Sequence, residues 1–421
     1  MTPQIIFIIL VAIILVDFIF EGWLELLNLK NLSEKLPVEL VDLYDAEKYV
    51  QSQKYERINI RFGLVGSSFN LILIMVMFFL GGFALIDELA AGISAHPILQ
   101  PLIFFGILGL AFDILNTPFA VYDTFVIEQR FGFNKTTPAL FITDKLKGWL
   151  LTAIIGGGLL ALVVWFYLQT TVYFWLWAWA LTSAFMLFMA FFYSSLIVPL
   201  FNKQKPLEDG DLKQQITSHA KQSGFRIDKI YTINGSKRST KANAYFSGLG
   251  RKKRIVLFDT LIKELSTSEI VAVLMHEIGH YRKKHIISAM ILSLIQSGVM
   301  LYILSLFISK PALSQALGMP DATFHIGLFA FGILYSPVSV IIGLMMNKLS
   351  RKNEYKADDF AAGYGMGNAL IEALKKLSIN NLSNLTPHPL YVFFHYSHPT
   401  LLQRIRNLRM IKNQNNNLIP D

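Results

Sequence analysis

Two histidines and a glutamate are the residues of this sequence best suited to chemistry. They stand in the string His276, Glu277, Ile278, Gly279, His280. If the string is helical, both imidazoles lie on one face, because residues four apart are neighbours on a helix. Two such imidazoles can bind one zinc ion, and Glu277 on the flank of that face can take a proton from a zinc-bound water. The string predicts a hydrolytic zinc site; the alternative is a polar patch on a surface helix.

The string lacks one ligand, because a catalytic zinc ion normally takes three from the protein. The best candidate by spacing is Glu354, which follows the last apolar stretch and lies four residues before Asp358. On a helix Glu354 could ligate while Asp358 hydrogen-bonds a ligand imidazole. Spacing alone is also compatible with a solvent-exposed helix on which lysine and glutamate side chains pair. The chain has no cysteine, so any zinc site must use histidine and carboxylate, as hydrolytic sites do.

The composition indicates that lipid is the main solvent of the chain. Of its 421 residues, 53% are hydrophobic and only 16% are charged, against about 25% charged in soluble domains. A membrane-spanning helix needs about 20 apolar residues. Seven stretches meet this need, near 4–22, 62–87, 98–126, 149–169, 172–200, 286–309 and 322–347. We predict an α-helical polytopic membrane protein with a small α+β insertion.

The basic residues predict how the chain crosses the bilayer. Six lysines and arginines fall in 23–61, none in 88–97 and four in 127–148, and the alternation continues to the basic C-terminal segment. Basic loops stay on the cytoplasmic side. We therefore expect the N-terminus outside, with the insertion and the C-terminus in the cytoplasm. The net charge of +9 is not gathered on one face, so we expect a lipid bilayer and no nucleic acid as partner.

The chain divides into four predicted parts. Residues 1–200 hold five membrane helices, and 201–285 form the insertion, with strands at 229–234 and 254–259. Residues 286–347 hold two more membrane helices, and 348–421 form a cytoplasmic segment that completes the zinc site. Ser266 and Glu269 predict a capping box at the start of the helix that bears the two histidines. His285 is expected to lie on the wrong helix face to join His280.

Several further segments carry a resemblance to a known family. The chain resembles the type I CAAX prenyl endopeptidases, which are integral-membrane zinc proteases, and the likeness runs over nearly its whole length. The segments that carry it are 122–137, 236–239, 243–246, 253–260, 276–280, 354–358 and 396–400.

The resemblance implies roles for particular residues. It makes Glu354 the third ligand of a single Zn²⁺ ion per chain. It also implies seven helices around a chamber whose cytoplasmic end is closed by the zinc site. An edge strand that pairs with the substrate backbone would contain Asn243, Ala244 and Tyr245. His398 and Arg404 would lie near the metal and stabilise the oxyanion or hold a substrate carboxylate.

The substrate is less defined than the reaction. The family name refers to a lipidated C-terminal tail, but the compact chain, with no evident retention signal, suits a bacterial inner-membrane protein, where an unprenylated peptide or a damaged membrane protein could be cleaved. A site-two-type intramembrane protease is one alternative, although the basic residues after His280 favour a position at the membrane surface. A non-enzymatic membrane chaperone with a residual metal site is another, although the retained Glu277 argues against it.

Overall fold

The computed structural model describes residues 1–36, 41, 45–225, 227, 229–248 and 253–416. Within these residues, seven helical spans are long and apolar enough to cross a membrane. Residues 417–421, the end of the predicted cytoplasmic segment, lie outside the described residues. The predicted polytopic helical architecture is confirmed, and the spans are Pro3–Asn31, Ala46–Phe79, Leu99–Glu128, Pro138–Thr170, Phe174–Phe201, His285–Phe307 and Phe324–Gly363.

The helices and strands follow one another along the chain with short connections. The first helices are α1 (Pro3–Asn31), α2 (Ala46–Phe79), α3 (Gly82–Ile93), α4 (Leu99–Tyr122), α5 (Pro138–Leu151), α6 (Gly157–Thr170), α7 (Phe174–Leu196) and α8 (Val198–Phe201). The insertion contains β1 (Gln204–Pro206), α9 (Asp211–Gln222), β2 (Lys229–Ile233), β3 (Ala244–Ser247), β4 (Arg254–Phe258), α10 (Asp259–Glu264) and α11 (Thr267–Arg282). The remaining helices are α12 (His285–Phe307), α13 (Pro311–Gln315), α14 (Phe324–Gly363), α15 (Gly367–Asn380), α16 (Pro389–His395) and α17 (Leu401–Asn416).

Several predicted helix ends differ from the structure. The second span begins at Ala46 and stops at Phe79, because Gly81 takes the left-handed conformation (φ 68°) that ends a helix. The fourth begins at Pro138, eleven residues before the predicted start at 149, and the seventh continues to Gly363 instead of stopping at 347. Hydropathy marks the part of a helix that lies in lipid, so it misses polar turns that extend beyond the bilayer.

The insertion is built on one four-stranded sheet in the order β1-β2-β4-β3. Strands β2 and β4 are parallel, while β1 and β3 add antiparallel neighbours on either side. The strands predicted at 229–234 and 254–259 are β2 and β4, each one residue shorter than expected. Strand β3 lies at an edge of the sheet.

Helix α11 packs against this sheet with its apolar side. It begins with the predicted capping box, in which Ser266 and Glu269 each accept a backbone hydrogen bond from the other. Burying one valine, leucine, isoleucine or methionine side chain stabilises the folded protein by about 1.5–3 kcal/mol. The buried side therefore fixes the position of α11, and the other face carries the histidines. The buried residues of α11 in this core are Ile270, Val271, Ala272, Leu274, Met275 and Ile278.

The insertion is also fixed to the membrane helices. The loop after α4 donates a hydrogen bond from Lys135 N to Arg238 O (2.9 Å) and accepts one at Phe133 O from Thr240 N (3.0 Å). The Arg238 guanidinium then donates to both carboxylate oxygens of Asp144 on α5, at 2.7 and 2.9 Å. Two of the segments that carry the family resemblance therefore meet in space.

Helices α11 and α14 approach each other closely at Gly279. A Cβ atom at this position would lie 3.1 Å from Ala357 Cα, 3.1 Å from Phe360 Cβ and 3.2 Å from Ala357 O. Because two of these atoms are backbone, they cannot rotate away. The absence of a side chain at position 279 therefore lets α14 lie against α11.

We predict that Gly279→Ala lowers the melting temperature of the purified protein by several degrees. Alanine gains up to about 1 kcal/mol of helix propensity over glycine, but forcing apart two packed elements costs about 1–3 kcal/mol. Thermal unfolding in detergent measures the balance. The matched control is Gly363→Ala at the end of α14, where a Cβ meets nothing within 4 Å. An unchanged or higher melting temperature for Gly279→Ala would show that the helices are not closely packed here.

Candidate metal centre

Three donor side chains from two helices converge at one point. His276 and His280 lie on α11 and Glu354 lies on α14, with their donor atoms all within 4.8 Å of one another. His276 Nε2 is 3.1 Å from His280 Nε2 and 3.4 Å from Glu354 Oε2, and His280 Nε2 is 3.2 Å from Glu354 Oε1. Ligands of a tetrahedral zinc ion lie roughly 3.3 Å from one another, given bonds of about 2.0–2.1 Å.

The chemistry of this group fits a divalent cation. Glu354 is only 3% exposed, and its buried Oε2 accepts no hydrogen bond from the described residues, which is unfavourable for a carboxylate out of water. The carboxylates of Glu277, Glu354 and Asp358 against the single guanidinium of Arg404 leave a formal charge of two negative, which Zn²⁺ would neutralise. The nitrogen and oxygen donors are those of hydrolytic zinc sites.

Asp358 contacts Nδ1 of His276, the ring nitrogen that faces away from His280 and Glu354. Its Oδ1 lies 2.8 Å from His276 Nδ1, and it is fully buried. Burial alone would lower the pKa of His276, but the carboxylates of Asp358 and Glu354 beside the ring outweigh burial and raise that pKa above its usual range. Because an imidazole binds a metal through a deprotonated nitrogen, we expect metal affinity to fall as the pH falls.

Arg404 donates two hydrogen bonds to the carboxylate of Asp358. Its Nε donates to Asp358 Oδ2 at 2.9 Å and its Nη2 donates to Oδ1, while another guanidinium nitrogen lies 3.6 Å from Glu354 Oε2. The side chain is only 11% exposed. This paired geometry leaves the guanidinium facing the ligands of the site instead of open solvent.

His398 and Glu277 occupy the more accessible side. His398 lies in the loop between α16 and α17, with Nε2 3.3 Å from Glu354 Oε1, Nδ1 2.9 Å from Ser397 Oγ and 63% of its side chain exposed. Glu277 is half-buried and close enough to Arg404 to stabilise its positive charge. The structure thus brings His398 and Arg404 to the predicted ligands, as the resemblance implied.

His285 was placed wrongly by the sequence reasoning. Its Nδ1 lies 3.1 Å from His280 Nδ1, and the residue is 7% exposed. The two histidines are not on one continuous helix, because Lys284 takes a left-handed conformation (φ 59°) between α11 and α12. Helical spacing applies within one helix and cannot reveal a contact across the junction between two helices. The only sequence feature at this junction is the run of basic residues after His280, where the helix could be expected to end.

The edge strand β3 lies beside an open cavity. The hydrogen bond from Phe258 N to Asn243 O (3.1 Å) directs the backbone of Asn243 toward β4. Because this direction alternates along an antiparallel strand, the backbones of Ala244 and Phe246 face the free edge. The Asn243 side chain accepts from Ala244 N at 2.8 Å. A cavity of about 790 Å³ is lined by residues that include Asn243, Tyr245, Ser247, Tyr193 and Ile286.

Both halves of the chain match known protein families. Residues 25–203 match the family described as "CAAX prenyl protease N-terminal, five membrane helices", and residues 206–412 match peptidase family M48. Together these two matches cover most of the chain.

Curated relatives match over nearly their full length. The chain is 34% identical to CAAX prenyl protease 1 of Saccharomyces cerevisiae, covering 95% of this chain and 94% of the relative. It is 35% identical to the CAAX prenyl protease 1 homolog of Dictyostelium discoideum, covering 96% of each chain. The human homolog is 30% identical, with 90% of this chain and 89% of the relative covered.

A solved structure has the same fold. The crystal structure of Ste24p from S. mikatae superposes with a TM-score of 0.91 at 35% identity, covering 96% of this chain and 99% of that chain. These matches do not favour a site-two-type protease or a non-enzymatic chaperone. The convergence of His276, His280 and Glu354 agrees with the metal site that a metallopeptidase requires. The chain therefore belongs to the CAAX prenyl protease 1 family, the multi-pass membrane zinc metallopeptidases of peptidase family M48.

Proposed function

We propose that this chain hydrolyses a peptide bond near the C-terminus of a prenylated protein, using one zinc ion held by His276, His280 and Glu354. The observation that carries the proposal is the convergence of these three donors within 4.8 Å. When bound, zinc supplies Lewis acidity, which lowers the pKa of a coordinated water to about 7 and polarises a carbonyl. The surrounding residues must move the proton and hold the substrate.

Glu277 is the proposed general base. It follows His276 on α11, so its carboxylate lies on the flank of the histidine face. It takes the proton of the attacking water and returns it to the amide nitrogen of the leaving fragment. A general base in reach of its proton contributes about 10²–10⁴ in rate.

His398 and Arg404 take different roles in this proposal. His398 has an exposed imidazole beside Glu354, so it can donate a hydrogen bond to the oxyanion that forms on the substrate carbonyl. Arg404 is a positioning residue instead, because its guanidinium is bound to Asp358. Asp358 in turn fixes the ring of His276, as carboxylate partners of metal-bound histidines do.

The substrate backbone is proposed to pair with β3. Ala244 and Phe246 direct their backbone groups to the free edge, and the adjacent cavity can take substrate side chains. Asn243 and Tyr245 line that cavity. Strand addition supplies main-chain hydrogen bonds that do not depend on substrate sequence, while pockets for alternate side chains give specificity.

A lipidated tail is the proposed substrate class because the matched relatives are named CAAX prenyl proteases. The basic loops support an N-terminus outside, with the catalytic domain and C-terminus in the cytoplasm. The relatives named above are eukaryotic, and a bacterial inner membrane stays a prediction from sequence.

We predict that the purified chain releases the C-terminal tripeptide from a farnesylated CAAX peptide, and that Glu277→Gln lowers this rate by about 10²–10⁴, as expected for loss of a general base. Mass spectrometry of the products measures both. The matched control is Glu372→Gln on α15, whose side chain is 54% exposed and pairs with Lys375; we expect this variant to cleave the peptide at the unaltered rate.

The outcomes separate the reaction from the substrate. Equal cleavage of the same peptide without its farnesyl group would contradict a lipid-specific substrate. Undiminished cleavage by Glu277→Gln would remove the proposed base.

Glu354→Gln is predicted to lose most of its bound zinc. The amide keeps the shape of the side chain but is neutral, and the site then lacks one of its three donors. Metal analysis after dialysis measures zinc per chain, with about one expected for the unaltered protein. The control is Asp359→Asn, an exposed neighbour of Asp358 that pairs with Asn407. Full zinc content in Glu354→Gln would rule out Glu354 as a ligand.

Ala244→Pro is predicted to raise KM for the peptide and to leave zinc content unchanged. Proline removes the Ala244 N–H, which lies at the free edge of β3 and donates to Asn243 Oδ1 in this structure, and it leaves the ladder to β4 intact. Steady-state kinetics at several peptide lengths measure the effect. The control is Ala242→Ser, two residues before and outside β3. An unaltered KM for Ala244→Pro would show that the substrate does not pair with this edge.

A further inference from the structure

The ring of His280 contacts two different surroundings. Its Nε2 faces the other donors, 3.1 Å from His276 Nε2 and 3.2 Å from Glu354 Oε1. Its Nδ1 faces away from them, toward His285 Nδ1 at 3.1 Å. If Nε2 gives its lone pair to a metal, the hydrogen of the neutral ring must be on Nδ1. That N–H then needs an acceptor.

His285 provides that acceptor. Its Nδ1 can accept from His280 Nδ1–H when its own hydrogen is on Nε2, an atom that is buried without a hydrogen-bond partner among the described residues. Among the described residues, no other hydrogen bond involves His280 Nδ1. The two rings lie nearly perpendicular, with centroids 5.1 Å apart and an interplanar angle of 77°, so the contact is edge to edge and not a stack.

The backbone places His285 for this contact. Helix α11 ends with hydrogen bonds from Lys283 N to Gly279 O and from Lys284 N to Tyr281 O, both 2.9 Å. The left-handed turn at Lys284 then starts α12 with His285 as its first residue. This turn brings the His285 ring back over the end of α11, where a continuing helix would carry it away.

The two ligand histidines therefore have unlike partners. His276 Nδ1 contacts the carboxylate of Asp358, whose charge is compensated by Arg404. His280 contacts an imidazole, which is neutral whenever its Nδ1 accepts a hydrogen bond. A neutral acceptor fixes the ring without adding negative charge to a site that already holds three carboxylates.

We propose that His285 is a positioning residue of the metal centre, which holds the ring and tautomer of His280 so that Nε2 points at the zinc ion. The proposal rests on the proposed zinc site at His276, His280 and Glu354. Groups that orient metal-bound histidines change metal affinity by about 10–100-fold when removed.

The test measures zinc affinity by competition with a chelator in the full-length protein in detergent. His285→Leu fills a similar volume but accepts no hydrogen bond, and we expect its zinc dissociation constant to rise about 10–100-fold. His285→Asn offers an amide oxygen as acceptor, and we expect it to recover at least about tenfold of that loss. His219→Leu is the control, since His219 lies on α9 and bonds Gln215 O.

A second measurement separates positioning from folding. The melting temperature of the zinc-free proteins should be alike for His285→Leu and the unaltered chain, because a metal-orienting role acts only when the metal is bound. If the leucine variant does not fold, His285→Ala replaces it, with the same tenfold recovery required of His285→Asn.

The outcomes are decisive in either direction. Unchanged zinc affinity in His285→Leu overturns the proposal and leaves the zinc site standing. Equal losses in the leucine and asparagine variants, with lower melting temperatures of the zinc-free proteins, overturn it in favour of a packing role. Absence of zinc binding by the unaltered chain overturns the proposed zinc site and this inference together.

Discussion

The contact between α11 and α14 at Gly279 is the constraint on which the site depends. Neither helix carries all three of the proposed ligands, so the three donors converge only while the two helices lie side by side. A side chain at position 279 would push them apart, because its Cβ would lie 3.1 Å from Ala357 Cα. The core under the sheet fixes α11 from the other side, and the membrane bundle fixes α14. The centre is thus built where two otherwise separate parts of the fold meet.

Charge is the second constraint on this junction. Two buried carboxylates, Glu354 and Asp358, and the half-buried Glu277 lie beside one guanidinium, an arrangement that an added cation or bound protons would stabilise. The pairing of Arg404 with Asp358 neutralises one carboxylate in a fixed geometry, and the remaining excess matches a divalent ion. This balance explains why a buried arginine stands beside the proposed cation site: its hydrogen bonds go to Asp358, the partner of His276, and its charge also lies 3.6 Å from Glu354.

Much of this arrangement could be predicted from the sequence. Helical spacing paired His276 with His280, apolar stretches gave the seven spans, and the family resemblance selected Glu354 among several carboxylates. Each of these signals is local or is carried by a known pattern. His285 was missed because its contact depends on one left-handed residue, Lys284, whose conformation no periodicity encodes. The direction of Arg404 was likewise undetermined, since a guanidinium near two carboxylates can turn to either a ligand or a substrate.

The length of α14 has a mechanical consequence. Forty residues at about 1.5 Å each make a rod about 60 Å long, which crosses the bilayer and ends in the peptidase domain as one element. Pro337 interrupts its backbone hydrogen bonding within the membrane, about 26 Å before Glu354 at the same rise per residue. A lever of that length turns a tilt of a few degrees at Pro337 into a displacement of about 1–2 Å at the carboxylate, by the same arithmetic. A bend at Pro337 would therefore displace Glu354 relative to His276 and His280 on α11.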